Sequence, residues 1–281
     1  MDRVRDKPGR GEALLKYKNP PVVEVVLSVA FEPVQGLRLI HIGDLWREHF
    51  SDLSVVEEKS PIEMPLELFN GSVVPTLSFR MTPELPFPRL WFQNESRTQL
   101  VQLQNNFLAR NWRKSDQTAE YPRYEKLREL FLRDLEGLNT FLSEKKLGPL
   151  VPTQCEITHI NHVSASRVAE VVTFVCDDDS PPFGQPESTN IITQFLIKAD
   201  DPEAVPLGRL HVQATTARLQ ASGDPVVVLT ITARGGPMEP GINGILRFLD
   251  VARESSRQVF ETMTRADRRA EWEEIYASNA G

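Results

Sequence analysis

The stretch from Gln154 to Val163, which reads QCEITHINHV, concentrates side chains that bind metals or carry out covalent chemistry. Cys155, His159 and His162 offer a thiolate and two imidazoles, the ligands that zinc prefers in proteins. A cysteine near a histidine and a glutamate, Glu156, also supplies a nucleophile and bases for catalysis. A zinc site and a catalytic pair of His159 with Cys155 or Glu156 are therefore the two chemical hypotheses for this stretch.

Strand geometry argues against the zinc site, and the absence of a G-x-S-x-G turn and of a cysteine-protease signature argues against catalysis. The stretch has the pattern of a β-strand, in which successive side chains alternate between faces, so His159 and His162 point to opposite sides. Cys155 and His159 share a face but lie roughly 13 Å apart along it. We therefore expect a structural strand that binds no metal or cofactor and has no catalytic role. The pattern leaves open which face is buried, and one candidate for a polar interior is the set Cys155, His159 and Asn161.

A second group of candidate residues lies between positions 109 and 129, in ARNWRKSDQTAEYPRYEKLRE. Arginines beside aromatic rings are typical of surfaces that stack on nucleic-acid bases or clamp phosphates. The alternative is that Trp112 and Tyr121 anchor a strand-to-helix connection while the charges pair along the helix. This basic-aromatic loop contributes as candidate binding residues Arg110, Trp112, Arg113, Lys114, Tyr121, Arg123 and Tyr124.

Two other motifs have simpler explanations. The glycines in ARGGPMEPGINGIL follow a strand and precede a helix, as in a phosphate-binding loop, but the Walker lysine and the dinucleotide-binding spacing are missing. Asp177, Asp178 and Asp179 are not followed by further ligands at calcium-loop spacing. A helix-capping loop and a solvated loop are the favoured interpretations.

Hydrophobic periodicity predicts the elements that position these residues. Apolar stripes predict helices at 37–50, 121–148 and 241–263. Strands are predicted at 23–31, 73–81, 88–94, 98–112, 154–163, 190–199, 208–220 and 224–235, with a hairpin turn before the last of them. The segment 52–70 is predicted to be irregular. In 166–176 the apolar spacing favours a short helix, whereas the valines favour a strand.

The same order of elements occurs in both halves of the chain: a strand, a helix, about three strands and a long helix. This order predicts an α+β fold, in which two duplicated units form a curved antiparallel sheet covered by the long helices, as in the TATA-box-binding protein or helix-grip folds. We expect a flexible N-terminal arm over residues 1–18, a first half over 19–150 and a second half over 151–281. The two halves are expected to form one compact unit.

Composition limits the location and the partners of the protein. The chain has 281 residues and a formal net charge of −7, which opposes nonspecific binding to nucleic-acid phosphates. The sequence has no apolar run of about 18 residues and no signal-peptide core, so we expect a cytoplasmic protein without a membrane span. In that compartment Cys155 and Cys176 are expected to be reduced, buried thiols.

Several segments together resemble a bacterial family of sporadic distribution. They are NPPVVEVVLSVAFEP, Trp46, PRLWF, LVQLQNNFLARNWRK, YPRYEKLRELF and QCEITHINHV, and they run from about Asn19 to Trp272. Val168 to Ser188 has no counterpart in the resemblance. The resemblance implies the extent of the domain but no activity, cofactor or catalytic residue. Its sporadic distribution is typical of mobile or defence-linked operons.

These observations favour a non-enzymatic binding or accessory protein that engages a macromolecular partner, first of all a protein, through its curved sheet and the basic-aromatic loop. One alternative is a helix-grip protein that binds an apolar small ligand between the sheet and a long helix. Another is a nucleic-acid-binding protein that uses Arg110, Trp112, Arg113 and Lys114. An exposed sheet edge would also allow a homodimer.

Overall fold

The computed structural model of the chain describes residues 15–64, 66–69, 86–115, 119–175, 184, 186–201 and 203–276. Its helices are α1 (Ile42–Leu45), α2 (Arg123–Glu144), α3 (Ile242–Met263) and α4 (Ala266–Glu271), with 3-10 turns at Leu39–His41 and Val168–Glu170 and a π turn at Trp46–Phe50. Its strands are β1 (Leu15–Tyr17), β2 (Val22–Phe31), β3 (Val55–Lys59), β4 (Arg89–Gln93), β5 (Gln99–Gln104), β6 (Phe107–Arg113), β7 (Pro152–Val163), β8 (Asn190–Ile197), β9 (Gly208–Arg218), β10 (Pro225–Gly235) and β11 (Glu274–Tyr276).

Nine of the described strands form one antiparallel sheet in the order β3-β4-β5-β6-β2-β7-β10-β9-β8. The central pair, β2 with β7, joins the first half of the chain to the second, and Leu27 lies opposite Ile157. From this pair the order runs outward through β6, β5, β4 and β3 on one side and through β10, β9 and β8 on the other. The predicted α+β class with a large antiparallel sheet is confirmed.

Both long helices cover the same face of the sheet. Residues that lie directly opposite each other on paired strands share a face, and Leu27 lies opposite Arg110 as well as Ile157. Arg110 meets Asp134 of α2, and Gly235 lies beneath Phe248 of α3, on the side of the sheet that includes Ile157. The helices bury the apolar stripes that the sequence predicts, so the main hydrophobic core lies between them and the sheet.

The opposite face of the sheet is polar. Gln102 donates to Asn111 at 2.8 Å, and Gln104 pairs with the backbone of Ile62, which belongs to a segment that crosses this face. Farther along, Glu67 of the same segment lies nearly buried. Its carboxylate is held by Arg209, His211 and Arg234. This face is therefore amide-rich beside β5, and part of it is covered by the chain itself.

Several strand predictions need correction. The sequence predicts one strand over 98–112, but Asn105 and Asn106 form a turn between β5 and β6, because asparagine readily bonds to nearby backbone in turns. Within the segment predicted to be irregular, β3 forms an edge strand that pairs with β4. The strand predicted at 73–81 lies outside the described residues.

Two other expectations are only partly met. The short helix favoured for 166–176 is a single 3-10 turn at Val168–Glu170, after which Val172 forms a bridge to Thr264; Cys176 lies outside the described residues. The expected N-terminal arm is docked at its end, because β1 pairs with β11 and Tyr17 is buried. Within the described residues, none of the helices is long and apolar enough to cross a bilayer.

Candidate functional site

A cavity of about 130 Å³ lies between the sheet and the two long helices. Its floor comes from β7 and β10, and its sides come from the start of α2, the second half of α3 and the chain that leads into β2. Its lining includes Tyr17, Tyr121, Tyr124, His159, Arg253 and Phe260. We call it the helix-sheet cavity.

His159 forms the polar part of the cavity floor. Strand alternation brings Cys155, Ile157, His159, Asn161 and Val163 to the face that the helices cover. The Nδ1 atom of His159 is buried and has no hydrogen-bond partner among the described residues. Burial, reinforced by the charge of Arg253, lowers the pKa of His159 to about 4. The imidazole is therefore neutral at pH 7, with one donor and one acceptor nitrogen.

Asn161 follows His159 by two residues along β7, so both side chains lie on the same face. Its side-chain amide donates to the backbone oxygen of Leu229 at 3.0 Å, which fixes its orientation beside the cavity. Cys155 faces the same way but is not part of the cavity wall, and burial raises the pKa of its thiol to about 12. The expected polar interior is therefore present, although only His159 and Asn161 reach the cavity.

The remaining walls are mostly aromatic. Tyr17 packs edge-on against Phe260 and Trp272, with ring centroids 6.0 and 5.7 Å apart. Tyr121 packs on Trp112 at 5.3 Å, and burial raises the pKa of Tyr121 to about 12. These rings give a ligand apolar surface on several sides.

The first turn of α2 forms one side of the cavity mouth. Tyr124 donates its hydroxyl hydrogen to Asp250 of α3 at 2.7 Å, and burial together with this carboxylate raises the pKa of Tyr124. Arg123 has a left-handed backbone conformation, with φ of 70°, and donates to the backbone oxygen of Tyr17 at 2.9 Å. Such a conformation is unfavourable for a residue with a side chain. The surrounding contacts therefore hold this turn in place at the mouth.

The basic-aromatic loop does not form one surface. Arg110 is fully buried and makes a two-pronged ion pair with Asp134, at 2.6 and 2.7 Å. Trp112 is buried beneath Tyr121, which matches the anchoring alternative. The prediction that Arg110 and Trp112 belong to an exposed binding surface is therefore wrong, because both side chains are buried between the sheet and the helices.

The other predicted members of the loop separate into two places. Arg113 lies on the polar face, where it pairs with Glu24 at 2.8 Å, and Lys114 is exposed just beyond it. Tyr121, Arg123 and Tyr124 line the helix-sheet cavity on the other face. Only these last three come together with His159 and Asn161.

Among the described residues, the side chains of the catalytic and metal hypotheses do not come together. His162 points away from His159, and Glu156 lies on the polar face, where it accepts from Arg234 at 2.5 Å. No group of three metal-binding side chains occurs among the residues that the structure describes. Asp177, Asp178 and Asp179 lie outside those residues.

Sequence reasoning missed Tyr17, Arg253 and Phe260. Tyr17 belongs to a segment without apolar periodicity, and its place depends on pairing with a strand near the other end of the chain. Arg253 is a charged residue that interrupts the apolar stripe of α3, and this interruption is the sequence feature that could have identified it.

Comparison with known proteins gives no match to any family model, curated protein or solved structure. The resemblance to a sporadically distributed bacterial family stays a prediction. The function is therefore inferred from geometry and chemistry alone.

Proposed function

We propose that the protein binds one small, largely apolar ligand in the helix-sheet cavity without converting it, and that it does so in the cytoplasm. The observation that carries this proposal is His159, a half-buried imidazole on the floor of a mostly aromatic cavity, whose Nδ1 atom has no hydrogen-bond partner among the described residues. A buried polar atom without a partner costs roughly 1–3 kcal/mol. A ligand that turns the ring toward the cavity and forms a hydrogen bond with Nδ1 removes this cost.

The volume supports a ligand of modest size. A cavity of about 150 Å³ holds one benzene molecule, and the helix-sheet cavity has about 130 Å³. Its mouth reaches the surface beside Glu125, which is exposed. A single ring with a short polar substituent fits both the volume and the polar floor.

The arrangement of the sheet is consistent with this function. We infer that the chain is a duplication, because each half begins with a central strand and ends with a long helix that returns over the sheet. A curved sheet that grips long helices, as in helix-grip folds, leaves space between the layers where ligands bind. The likeness in architecture supports the place of the site and does not identify the ligand.

Ligand-observed NMR with a panel of single-ring compounds tests the proposal. We expect at least one compound to bind the wild-type protein and to lose binding in His159→Phe, which fills the floor and removes the hydrogen-bonding ring. His162→Phe is the matched control, since that histidine points to the other face of the same strand. A panel without binders, or binders unaffected by His159→Phe, would contradict the proposal.

A second candidate function is that of an accessory protein that engages a macromolecular partner, first a protein and alternatively a nucleic acid. Trp91 on the polar face favours it. The Trp91 ring lies 4.9 Å from Lys59, 5.4 Å from Arg89 and 4.9 Å from Arg113, and exposed Lys114 follows Arg113. A ring surrounded by cations is suited to an anionic partner surface.

Affinity capture and oligonucleotide binding at two salt concentrations test this second candidate. Lys114→Glu should weaken binding, and the binding should fall as salt rises. Lys145→Glu, at the far end of α2, serves as the exposed control. Binding that neither salt nor Lys114→Glu changes would argue against this surface.

A further inference from the structure

Arg253 is a cavity residue whose charge is weakly compensated. Its side chain is 20% exposed, and among the described residues its guanidinium meets one carboxylate, that of Glu254, at 3.4 Å. It also lies 5.7 Å from the centre of the Tyr124 ring. A largely buried cation is unfavourable unless it is paired and hydrogen-bonded. Arg253 therefore has donors and charge available for a partner inside the cavity.

The neighbouring carboxylates compensate the charge of Arg253 only weakly. Glu254 is held more tightly by Arg257, at 2.6 Å, and Arg257 also pairs with Glu261 at 2.6 Å. Both contacts satisfy Arg257, and they raise its pKa. Glu254 therefore binds Arg257 more closely, and Arg253 reaches it only through a long hydrogen bond of 3.4 Å.

Arg253 lines the cavity that has His159 on its floor. It projects from α3 into the same cavity that His159 borders, and its charge acts on the His159 ring. Arg123 adds a second cation at the mouth, with one arm already bound to the Tyr17 backbone. The interior thus combines aromatic walls with a forked cationic donor and a neutral imidazole.

We propose that the ligand is an aromatic or similarly compact carboxylate, and that Arg253 recognises its carboxylate group. A guanidinium binds a carboxylate through two parallel hydrogen bonds, which a neutral group cannot reproduce. The ring of the ligand then packs against Tyr17, Tyr121 and Phe260, and His159 hydrogen-bonds a polar atom of the ligand. This inference rests on the proposed binding function and adds the charge of the ligand.

Three probes of one shape and different charge test the inference. Isothermal titration with benzoate, benzamide and benzamidine compares an anion, a neutral amide and a cation. Wild-type protein should bind benzoate about tenfold more tightly than benzamide, and benzamidine least. Arg253→Gln should reduce benzoate affinity to that of benzamide and leave benzamide unchanged, while Arg253→Lys should restore part of the difference.

Arg247→Gln is the control, because Arg247 lies on α3 away from the cavity, paired with Glu239 at 3.0 Å. Thermal unfolding of each variant establishes that it is folded. If benzoate and benzamide bind wild type equally, the inference on charge is overturned while ligand binding stands. If none of the three probes binds, the inference is overturned, and the wider panel of single-ring compounds decides the proposed function. Equal loss of benzoate in Arg247→Gln also overturns the role of Arg253.

Discussion

Arg110 on β6 and Arg253 on α3 both point into the space between the sheet and the long helices, and their charges are compensated in different ways. Arg110 has no exposed surface and forms two short hydrogen bonds with Asp134. Arg253 has one long contact and opens onto a cavity. The first arrangement is complete within the protein, whereas the second gains from a ligand. The contrast separates a structural arginine from a candidate recognition residue.

Removal of the partner of Arg110 should destabilise the protein strongly. Asp134→Ala leaves a buried guanidinium without its carboxylate, and we expect the free energy of unfolding to fall by about 3–5 kcal/mol. Urea denaturation measures the change. Glu129→Ala breaks an exposed pair with Lys126 on the same helix and should cost under about 1 kcal/mol. Equal effects of the two substitutions would show that the buried pair is not a main structural contact.

Protonation of His159 should destabilise the fold in mild acid. Its pKa is about 4 in the folded protein against 6.5 in a free chain, so the unfolded state takes up a proton first as the pH falls. The stability associated with the neutral ring is complete above pH 6.5 and is lost toward pH 4, by at most about 3 kcal/mol. Histidine NMR should show a resonance, absent in His159→Phe, that does not titrate above pH 5. A titration midpoint between pH 6 and 7 for this resonance would contradict the lowered pKa of His159.

At the scale of elements, alternation along β7 was predictable, but the choice of its buried face was not. Both faces mix apolar and polar residues, with Ile157 on one and Ile160 on the other. The choice is made by α3, which packs over Ile157 and His159 after about 80 further residues of chain, a separation beyond the reach of local pattern. Likewise Asn105 and Asn106 mark a turn that the apolar alternation around them obscures.

The close approach of α3 to the sheet depends on a glycine. A Cβ atom at Gly235 would meet Phe248 at 2.5 Å and also the backbone oxygen of Leu207. We expect Gly235→Ala to lower the free energy of unfolding by about 1–3 kcal/mol, because neither neighbour can move away freely. Gly236→Ala is the control, since no heavy atom lies within 4 Å of its Cβ position. Thermal or urea unfolding that shows equal effects of the two substitutions would contradict this packing.

At the scale of the whole molecule, the sequence predicted the α+β class with a large antiparallel sheet but not the site. The helix-sheet cavity needs Tyr17 from the beginning of the described chain, Tyr124 from its middle and Arg253 from near its end. No local sequence pattern shows that these three residues come together. Their convergence depends on the pairing of β1 with β11 and of β2 with β7, which connect distant parts of the chain.

One continuous sheet and core should make the two halves unfold together. The central β2–β7 pair has nine paired positions, and the buried core includes residues from both halves. We expect tryptophan fluorescence and far-ultraviolet circular dichroism to give the same urea midpoint, as in a single cooperative transition. Two resolved transitions would show that residues 19–150 and 151–281 are separate domains.

Ligand binding in the helix-sheet cavity is tested most directly by following the NMR signal of the His159 ring while a ligand is added. The histidine Cε1–Hε1 resonances of the wild-type protein, assigned with His159→Phe and His162→Phe, are followed by NMR as benzoate or benzamide is added. Ligand binding in the helix-sheet cavity predicts a saturable shift of the His159 resonance with at least one compound, while that of His162 stays in place. A His159 resonance that neither compound moves, or that moves no more than that of His162, would contradict the account.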